Sequence, residues 1–136
     1  MRYYIDTSAY LAVLLGEREG APLVTMLDGA ELLTSALLAL ETHRNLVRLT
    51  REGALSSEQF LAALARLDDD LEQFAIRDLD LELCLDRSMP IVSTPRSLDL
   101  AHLRTALWFH RQSPLTKFVS VDRSQLRSAA ELGLPV

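Results

Sequence analysis

Apolar residues along the chain alternate between short strand-like runs and longer segments with helical spacing. The strand-like runs fall at residues 2–5, 31–34, 74–77 and 117–121. Segments with helical periodicity lie at residues 9–15, 20–27, 35–51, 56–71, 79–86, 98–110 and 124–132. Strands that alternate with helices are typical of a parallel sheet covered on both faces. The pattern therefore predicts an α/β fold, a three-layer α/β/α domain with a central, mainly parallel sheet of four to five strands. The fifth strand would be an edge strand at residues 134–136.

Several helix ends carry recognisable signals. Ser35 and Ser97 precede long helical segments and are predicted to cap them, because a serine side chain can accept from a free backbone N–H there. Ser56, with Gln59 three positions later, fits a capping box. Residues 89–95 contain two prolines and are predicted to form a loop.

Composition places the chain among globular proteins with one domain over residues 1–136, since 49% of residues are hydrophobic and 24% charged. No run of about 18 uncharged apolar residues suggests a membrane span. Asp6 and Glu17 interrupt any signal-peptide pattern, so we expect a cytoplasmic protein with no membrane partner. The lone Cys84 excludes an internal disulfide and a cysteine-based zinc site. The net charge of −5 disfavours nucleic acid unless acids gather around cations.

Two strand-like runs end in an aspartate. Asp6 follows the first run directly, with the hydroxyls of Thr7 and Ser8 after it, and Asp122 follows the run that contains Ser120. In a parallel sheet both carboxylates would emerge at the same edge, where α/β proteins bind ligands. An aspartate at a helix start can also serve only as an N-cap, so position alone does not establish chemistry.

Two further acids lie where helices could bring them to that edge. Glu41 lies in the long helix after Ser35, and Asp99 lies in the first turn of the helix after Ser97. Each has a plain structural explanation, since a glutamate pairs with a nearby arginine on a helix and an acid is favoured in a first turn. Only when the four acids are considered together is a catalytic interpretation as well supported as the structural one.

Gathered carboxylates repel one another and are costly to bury without cations. Ligand sets made of oxygen alone favour hard divalent ions, chiefly Mg²⁺ or Mn²⁺. Such ions activate water and stabilise the charge that develops on a phosphodiester. The constellation therefore predicts metal-dependent hydrolysis of phosphodiester bonds.

The chain resembles the PIN-domain ribonucleases, and within them the VapC-type toxins of bacterial and archaeal toxin–antitoxin pairs. The resemblance covers essentially the whole chain. The motifs that carry it are Tyr4-Ile5-Asp6-Thr7-Ser8-Ala9, the stretch from Ser35 to Glu41, Ser97-Leu98-Asp99-Leu100-Ala101-His102-Leu103, Ser120-Val121-Asp122 and Ala129-Ala130-Glu131-Leu132-Gly133-Leu134-Pro135-Val136.

The resemblance implies a PIN-like fold and an endoribonuclease that inhibits translation as a type II toxin. It implies Asp6, Glu41, Asp99 and Asp122 as the catalytic acids around Mg²⁺ or Mn²⁺. Asp6 and Asp99 would be the main ligands. Thr7 or Ser8 would support the first acid, and Ser120 matches a hydroxyl near the last one. It further implies an RNA substrate, an antitoxin that occupies the cleft, and a homodimer.

Five arginines could line a path for RNA beside the acids. A scatter of solubilising charge is an equally good interpretation of them. The five are Arg44, Arg48, Arg51, Arg104 and Arg111.

Four other residues invite a functional interpretation for which a structural one is preferred. His102 shares a helix face with Asp99, but imidazole is a softer ligand than oxygen, so we expect a hydrogen-bonded packing residue. Trp108 could stack on a base, although packing is favoured. We expect His43 to be partly buried and Cys84 to be a buried thiol.

Three other classes remain open. A phosphoaspartyl phosphatase would need a second aspartate where Ser8 stands. A receiver-like signalling module could use Lys117 and a phosphoacceptor at Asp78. A partner-binding module without nuclease activity could retain the acids only as helix caps.

Overall fold

The computed structural model describes residues 1–93 and 96–136. Within them, four strands form one sheet in the order β3-β2-β1-β4, and every neighbouring pair is parallel. The strands are β1 (Arg2–Ile5), β2 (Glu31–Ser35), β3 (Ala75–Arg77) and β4 (Lys117–Val119). The predicted α/β architecture with a parallel central sheet is confirmed.

Seven α-helices are found in the described part of the chain. They are α1 (Thr7–Leu14), α2 (Ala21–Leu27), α3 (Leu37–Arg51), α4 (Ser57–Gln73), α5 (Leu81–Leu85), α6 (Ser97–Gln112) and α7 (Arg123–Glu131), with a short 3-10 helix at Arg18–Gly20 before α2.

One predicted helix cap is confirmed and two are wrong. Ser56 caps α4 in a full capping box with Gln59, since each side chain bonds to the backbone of the other residue. Ser35 instead ends β2, and Ala36 is the N-cap of α3. Ser97 is the first residue of α6 and not its cap. α6 begins at Ser97 itself, and α3 begins two residues after Ser35, where the Ser35 hydroxyl still accepts from the backbone N–H of Leu37 at 3.1 Å.

The sheet separates two apolar layers. Residues of alternating positions on β1 face opposite sides, so Tyr4 packs with α6 and α7, while Tyr3 and Ile5 pack with α1 to α4. Tyr4 stacks on Phe118 of β4, with ring centroids 5.3 Å apart. Helices on both faces produce the predicted three-layer arrangement, and the sheet holds the ends of its strands in fixed positions.

The parallel pairing of β1 with β4 brings the carboxyl ends of these two strands together at one end of the sheet. Ile5 lies opposite Val119, and the backbone N–H of Asp6 donates to the carbonyl of Val119 at 3.1 Å. The residues that follow both strands therefore lie side by side. The expected meeting of the two strand ends is confirmed.

Several sequence expectations about the fold are wrong. Residues 134–136 form no strand, although the carbonyl of Pro135 accepts from Phe118 N–H at 2.6 Å. Cys84 is exposed because α5 has only five residues and its outer face meets solvent. His43 is also exposed.

The predicted loop at residues 89–95 is only partly described. Residues 89–93 contain neither helix nor strand, while Thr94 and Pro95 lie outside the described residues. No helix in the described ranges is long and apolar enough to cross a membrane.

Candidate active site

Asp6 stands at the carboxyl end of β1 and is also the N-cap of α1. Its Oδ1 accepts from the backbone N–H of Ala9 at 3.0 Å and from the hydroxyl of Ser8 at 2.7 Å. The side chain is nonetheless buried, with the residue only 4% exposed. A capping role does not require such burial, since caps are commonly solvated.

Ser8 and Ser120 connect Asp6 to the last acid. Their hydroxyl oxygens lie 3.1 Å apart, and Ser8 Oγ accepts from the backbone N–H of Val121. Ser120 Oγ in turn accepts from the backbone N–H of Asp122 at 3.0 Å. The two predicted supporting hydroxyls thus join the ends of β1 and β4 into one hydrogen-bonded rim.

Asp99 and Asp122 are joined by one arginine. Arg96 Nε lies 2.6 Å from Asp99 Oδ2, and Arg96 Nη2 lies 3.2 Å from Asp122 Oδ2. The other oxygen of Asp122 caps α7, accepting from the N–H groups of Ser124 and Gln125. A single positive charge therefore sits against both carboxylates.

Glu41 is held from the side of α1 and α6. Its Oε1 accepts from the Thr7 hydroxyl at 2.8 Å and lies 2.7 Å from His102 Nε2. Because Thr7 follows Asp6 directly in the chain, these bonds place Glu41 beside the end of β1. The polar residue predicted on α3 is thus brought to the same edge as Asp6.

Burial and hydrogen bonding shift the pKa values of two acids in opposite directions. Burial raises the pKa of the Asp6 carboxyl above its ordinary value, although hydrogen bonds from Ser120, Ala9 and Ser8 oppose the rise. Burial also acts to raise the pKa of Glu41, but hydrogen bonds from His102 and Thr7, together with nearby positive charge that includes Arg44, outweigh it and lower that pKa. A buried carboxyl with a raised pKa is one that a nearby cation would help to ionise.

Hydrogen bonds and ion pairs link the predicted acids, but their carboxylates are not arranged around a single position for an ion. Asp6 reaches Asp122 through Ser8 and Ser120, and Arg96 then links Asp122 to Asp99. Within residues 1–93 and 96–136, no three histidine, cysteine or acidic side chains are placed to hold one ion. The ligand set predicted from sequence therefore stays a prediction.

The chemistry of these residues fits a hard divalent cation. All four acids offer only oxygen, the donor that Mg²⁺ and Mn²⁺ prefer. The Arg96 guanidinium already places a cation against two of them, which shows that this edge attracts positive charge.

Three of the candidate RNA-contact arginines share one face of α3. Arg44, Arg48 and Arg51 are exposed and, with Val47 and Glu52, line a shallow groove of about 430 Å³. The charge of Arg44 also reaches Glu41 and lowers the pKa of that carboxyl. The groove therefore begins next to the acids.

Two other candidate arginines take part in the fold. The Arg104 guanidinium donates to the carbonyls of Leu83 and Cys84 in α5. Arg111 lies 3.4 Å from Asp86. These contacts occupy both side chains away from α3, and an RNA contact there has no support from the geometry.

Sequence reasoning missed two residues of the site, Arg96 and Gln125. The spacing of three between Arg96 and Asp99 signals a helical ion pair, but nothing in the sequence indicates its second bond to Asp122. Gln125 is buried, and its side-chain amide donates to the Asp99 carbonyl at 3.0 Å. It thereby ties the start of α6 to the start of α7.

The remaining expectations concern packing. His102 is buried and hydrogen-bonded, as predicted. Trp108 packs against Phe109, and the Arg77 guanidinium lies 4.9 Å from its ring centre. Lys117 begins β4 and so lies at the opposite end of that strand from Asp122, which gives no support to a receiver-like pocket.

Comparison with known protein families matches residues 3–132 to the family described as PIN domain. No significant match was found among curated proteins. The match spans all four acids and both layers of helices. PIN domains are generally nucleases, and they typically use divalent metal ions. With its parallel sheet and its acids at the carboxyl ends of β1 and β4, the chain belongs to the PIN domain family.

Proposed function

We propose that this PIN domain is an endoribonuclease that uses Mg²⁺ or Mn²⁺ to hydrolyse RNA phosphodiester bonds. The observation that carries the proposal is the buried Asp6, joined through Ser8 and Ser120 to Asp122 and through Thr7 to Glu41. Helix capping alone does not require such burial, since the Asp6 residue is only 4% exposed.

Each of the four acids would have its own role at the site. Asp6 and Asp99 would hold the ion, and Glu41 and Asp122 would complete or tune its surroundings. The ion would supply activation of water and stabilisation of the charge that develops on the phosphodiester. Ser8 and Ser120 keep the Asp6 carboxylate in place through their hydrogen bonds. Because activated water would be the nucleophile, we expect no covalent serine or cysteine intermediate.

RNA would approach along α3. Arg44, Arg48 and Arg51 provide positive charge on a chain whose net charge is −5. Phosphate groups that contact arginines fix the register of a nucleic acid without reading its sequence. A backbone lying in this groove would reach the acids at the Arg44 end, next to Glu41.

We further propose that the protein is the toxin of a type II toxin–antitoxin pair. The support is the resemblance of the whole chain to VapC-type toxins. An antitoxin segment would occupy the cleft, and the toxin would act as a homodimer. Arg96 illustrates the chemistry that such a segment could use, because a guanidinium can pair with two of the acids at once.

One alternative has specific support. Asp6 and Asp122 are both N-caps, as a partner-binding module without nuclease activity would have them. Asn caps helices about as well as Asp, but it carries no charge to bind a divalent ion. The Asp6→Asn variant therefore separates the two functions.

The experiment is an RNA cleavage assay with Mn²⁺ on the purified wild type and Asp6→Asn variant. We expect cleavage by the wild type and its loss in the variant, with both proteins folded by circular dichroism. Equal activity in the two proteins would remove the proposal. Growth arrest on induced expression, relieved by a neighbouring small reading frame, tests the toxin role separately.

A further inference from the structure

His102 is a buried histidine on α6 that touches three other elements of the fold. It is 3% exposed. Its Nδ1 lies 2.8 Å from the hydroxyl of Tyr4 on β1, and its Nε2 lies 3.1 Å from Thr7 Oγ1 on α1. Nε2 also lies 2.7 Å from Glu41 Oε1 on α3. No other described polar side chain links Tyr4, Thr7 and Glu41 in this way.

The hydrogen-bond partners of His102 indicate which ring nitrogen carries the proton. A carboxylate only accepts hydrogen bonds, so Nε2 must carry the proton that bonds to Glu41. Tyr4 then donates its O–H to Nδ1. The Thr7 hydroxyl donates to Glu41 Oε1 and can accept from the same Nε2–H. Each donor in this group thus has an acceptor.

The hydrogen bonds fix one side of the Glu41 carboxylate. Among the described residues, those from Thr7 and His102 both end on Oε1. A glutamate side chain has three rotatable bonds, and α3 alone would leave its end free to move over several ångströms. Two hydrogen bonds on one oxygen restrict that freedom.

We propose that His102 is a positioning residue that holds Glu41 for a divalent ion at the Asp6 edge. The inference rests on the proposed function and adds a role that the acids alone do not reveal. His102 itself would not bind the ion, because its Nε2 is engaged with Glu41 and its Nδ1 with Tyr4. It acts as the outer partners of metal ligands do, whose loss typically costs about 10–100-fold in metal affinity.

The test is Mn²⁺ affinity, followed by electron paramagnetic resonance of the free ion, for five proteins. They are the wild type, Asp6→Asn, His102→Leu, His102→Gln and Leu107→Ala. Leu keeps an apolar volume and removes both ring nitrogens, whereas the Gln side-chain amide can still donate to Glu41. Leu107 is a matched control, since it is a buried residue of the same helix that packs in the apolar layer, while the hydrogen bonds on Glu41 Oε1 come from Thr7 and His102.

We expect His102→Leu to bind Mn²⁺ about 10–100-fold more weakly than the wild type. His102→Gln and Leu107→Ala should stay within a few-fold of the wild type, all measured where circular dichroism shows a folded protein. Wild-type affinity in His102→Leu, or an equal loss in Leu107→Ala, would overturn the inference alone. A wild type that binds Mn²⁺ no better than Asp6→Asn would instead overturn the proposed function and this inference with it.

A second measurement needs no variant. Nitrogen-15 spectra of the histidine ring in the wild type identify which nitrogen carries the proton. We expect the His102 proton on Nε2, and its signal should shift when Mg²⁺ is added. A proton on Nδ1 alone would contradict the bond to Glu41 and overturn the inference even if His102→Leu fails to fold.

Discussion

Asp99 on α6 and Asp122, the N-cap residue of α7, share a single guanidinium from Arg96. The nitrogen–oxygen distances are 2.6 Å to Asp99 and 3.2 Å to Asp122. Arg96 itself is exposed over 65% of its side chain, so the pair of bonds can open without disturbing the core. A divalent ion that uses Asp99 must compete with this charge.

The first prediction follows from that competition. Arg96→Ala should bind Mn²⁺ more tightly than the wild type, by about 2–10-fold, because exposed ion pairs are worth only about 0–1 kcal/mol each. Calorimetric titration measures the change. Arg123→Ala is the matched control, since it removes the same charge next to Asp122 without breaking a pair seen in the structure. Weaker binding by Arg96→Ala would mean that the arginine assists the ion.

The second prediction concerns the pH dependence of stability without divalent ions. The pKa of Asp6 is raised in the folded protein, so the folded state holds its proton longer than the unfolded state does. Wild-type stability should therefore fall as pH rises from the ordinary carboxyl pKa through the raised one. Asp6→Asn lacks this loss and should be more stable at pH 7, by about 0.5–2 kcal/mol.

Chemical denaturation in the presence of a chelator, from pH 3 to pH 8, gives the difference between the two proteins as a function of pH. The lowered pKa of Glu41 has the opposite effect on the free energy of unfolding. Its stabilising contribution is complete above the ordinary pKa and is lost as the pH falls through the lowered one. That contribution is common to both proteins and cancels. Adding Mn²⁺ should reverse the order, because ligand binding stabilises the wild type. A difference independent of pH would count against the burial argument.

The third prediction separates the fold from the site. Ser56→Ala removes the capping box of α4 and should lower the free energy of unfolding by about 1 kcal/mol. Ser57→Ala, one residue later and exposed, is the matched control and should change stability by much less. Neither variant should alter Mn²⁺ affinity, since α4 contributes none of the four acids.

The fourth prediction tests the proposed RNA path. In the Asp6→Asn background, which should not cleave, Arg44→Ala and Arg51→Ala should each weaken binding to single-stranded RNA. Each should also reduce the slope of log affinity against log salt by about 0.7, the value for one lost phosphate contact. Arg127→Ala, an exposed arginine on α7, should leave the slope unchanged. Equal slopes in all variants would place the RNA elsewhere.

The sequence was sufficient to predict the order of strands and helices along the chain. It also predicted that the carboxyl ends of two strands lie together. Period-two and helical patterns are local properties, and parallel strands must end at the same edge. Asp6 follows β1 directly and Asp122 lies three residues after the end of β4, so their proximity follows from the topology. Ser56 and Gln59 were equally predictable, because a capping box depends only on residues three positions apart.

Contacts between distant residues could not be predicted in this way. His102 and Glu41 are 61 residues apart, and their bond depends on how α3 and α6 cross at the sheet edge. The link from Arg96 to Asp122 depends on the position of α7. Cys84 was mispredicted for a related reason, since the apolar pattern of α5 does not reveal that much of this short helix faces solvent.

In the proposed site, Asp6 at the end of β1 and Asp99 on α6 share one divalent ion. A crystal structure of the protein grown with saturating Mn²⁺, with anomalous data collected, tests it most directly. We expect an anomalous peak about 2.1–2.3 Å from oxygens of both Asp6 and Asp99, with the Arg96 guanidinium moved away from Asp99. Well-ordered crystals in which Arg96 still bridges Asp99 and Asp122, with no anomalous peak at Asp6, would show that these two carboxylates do not share an ion.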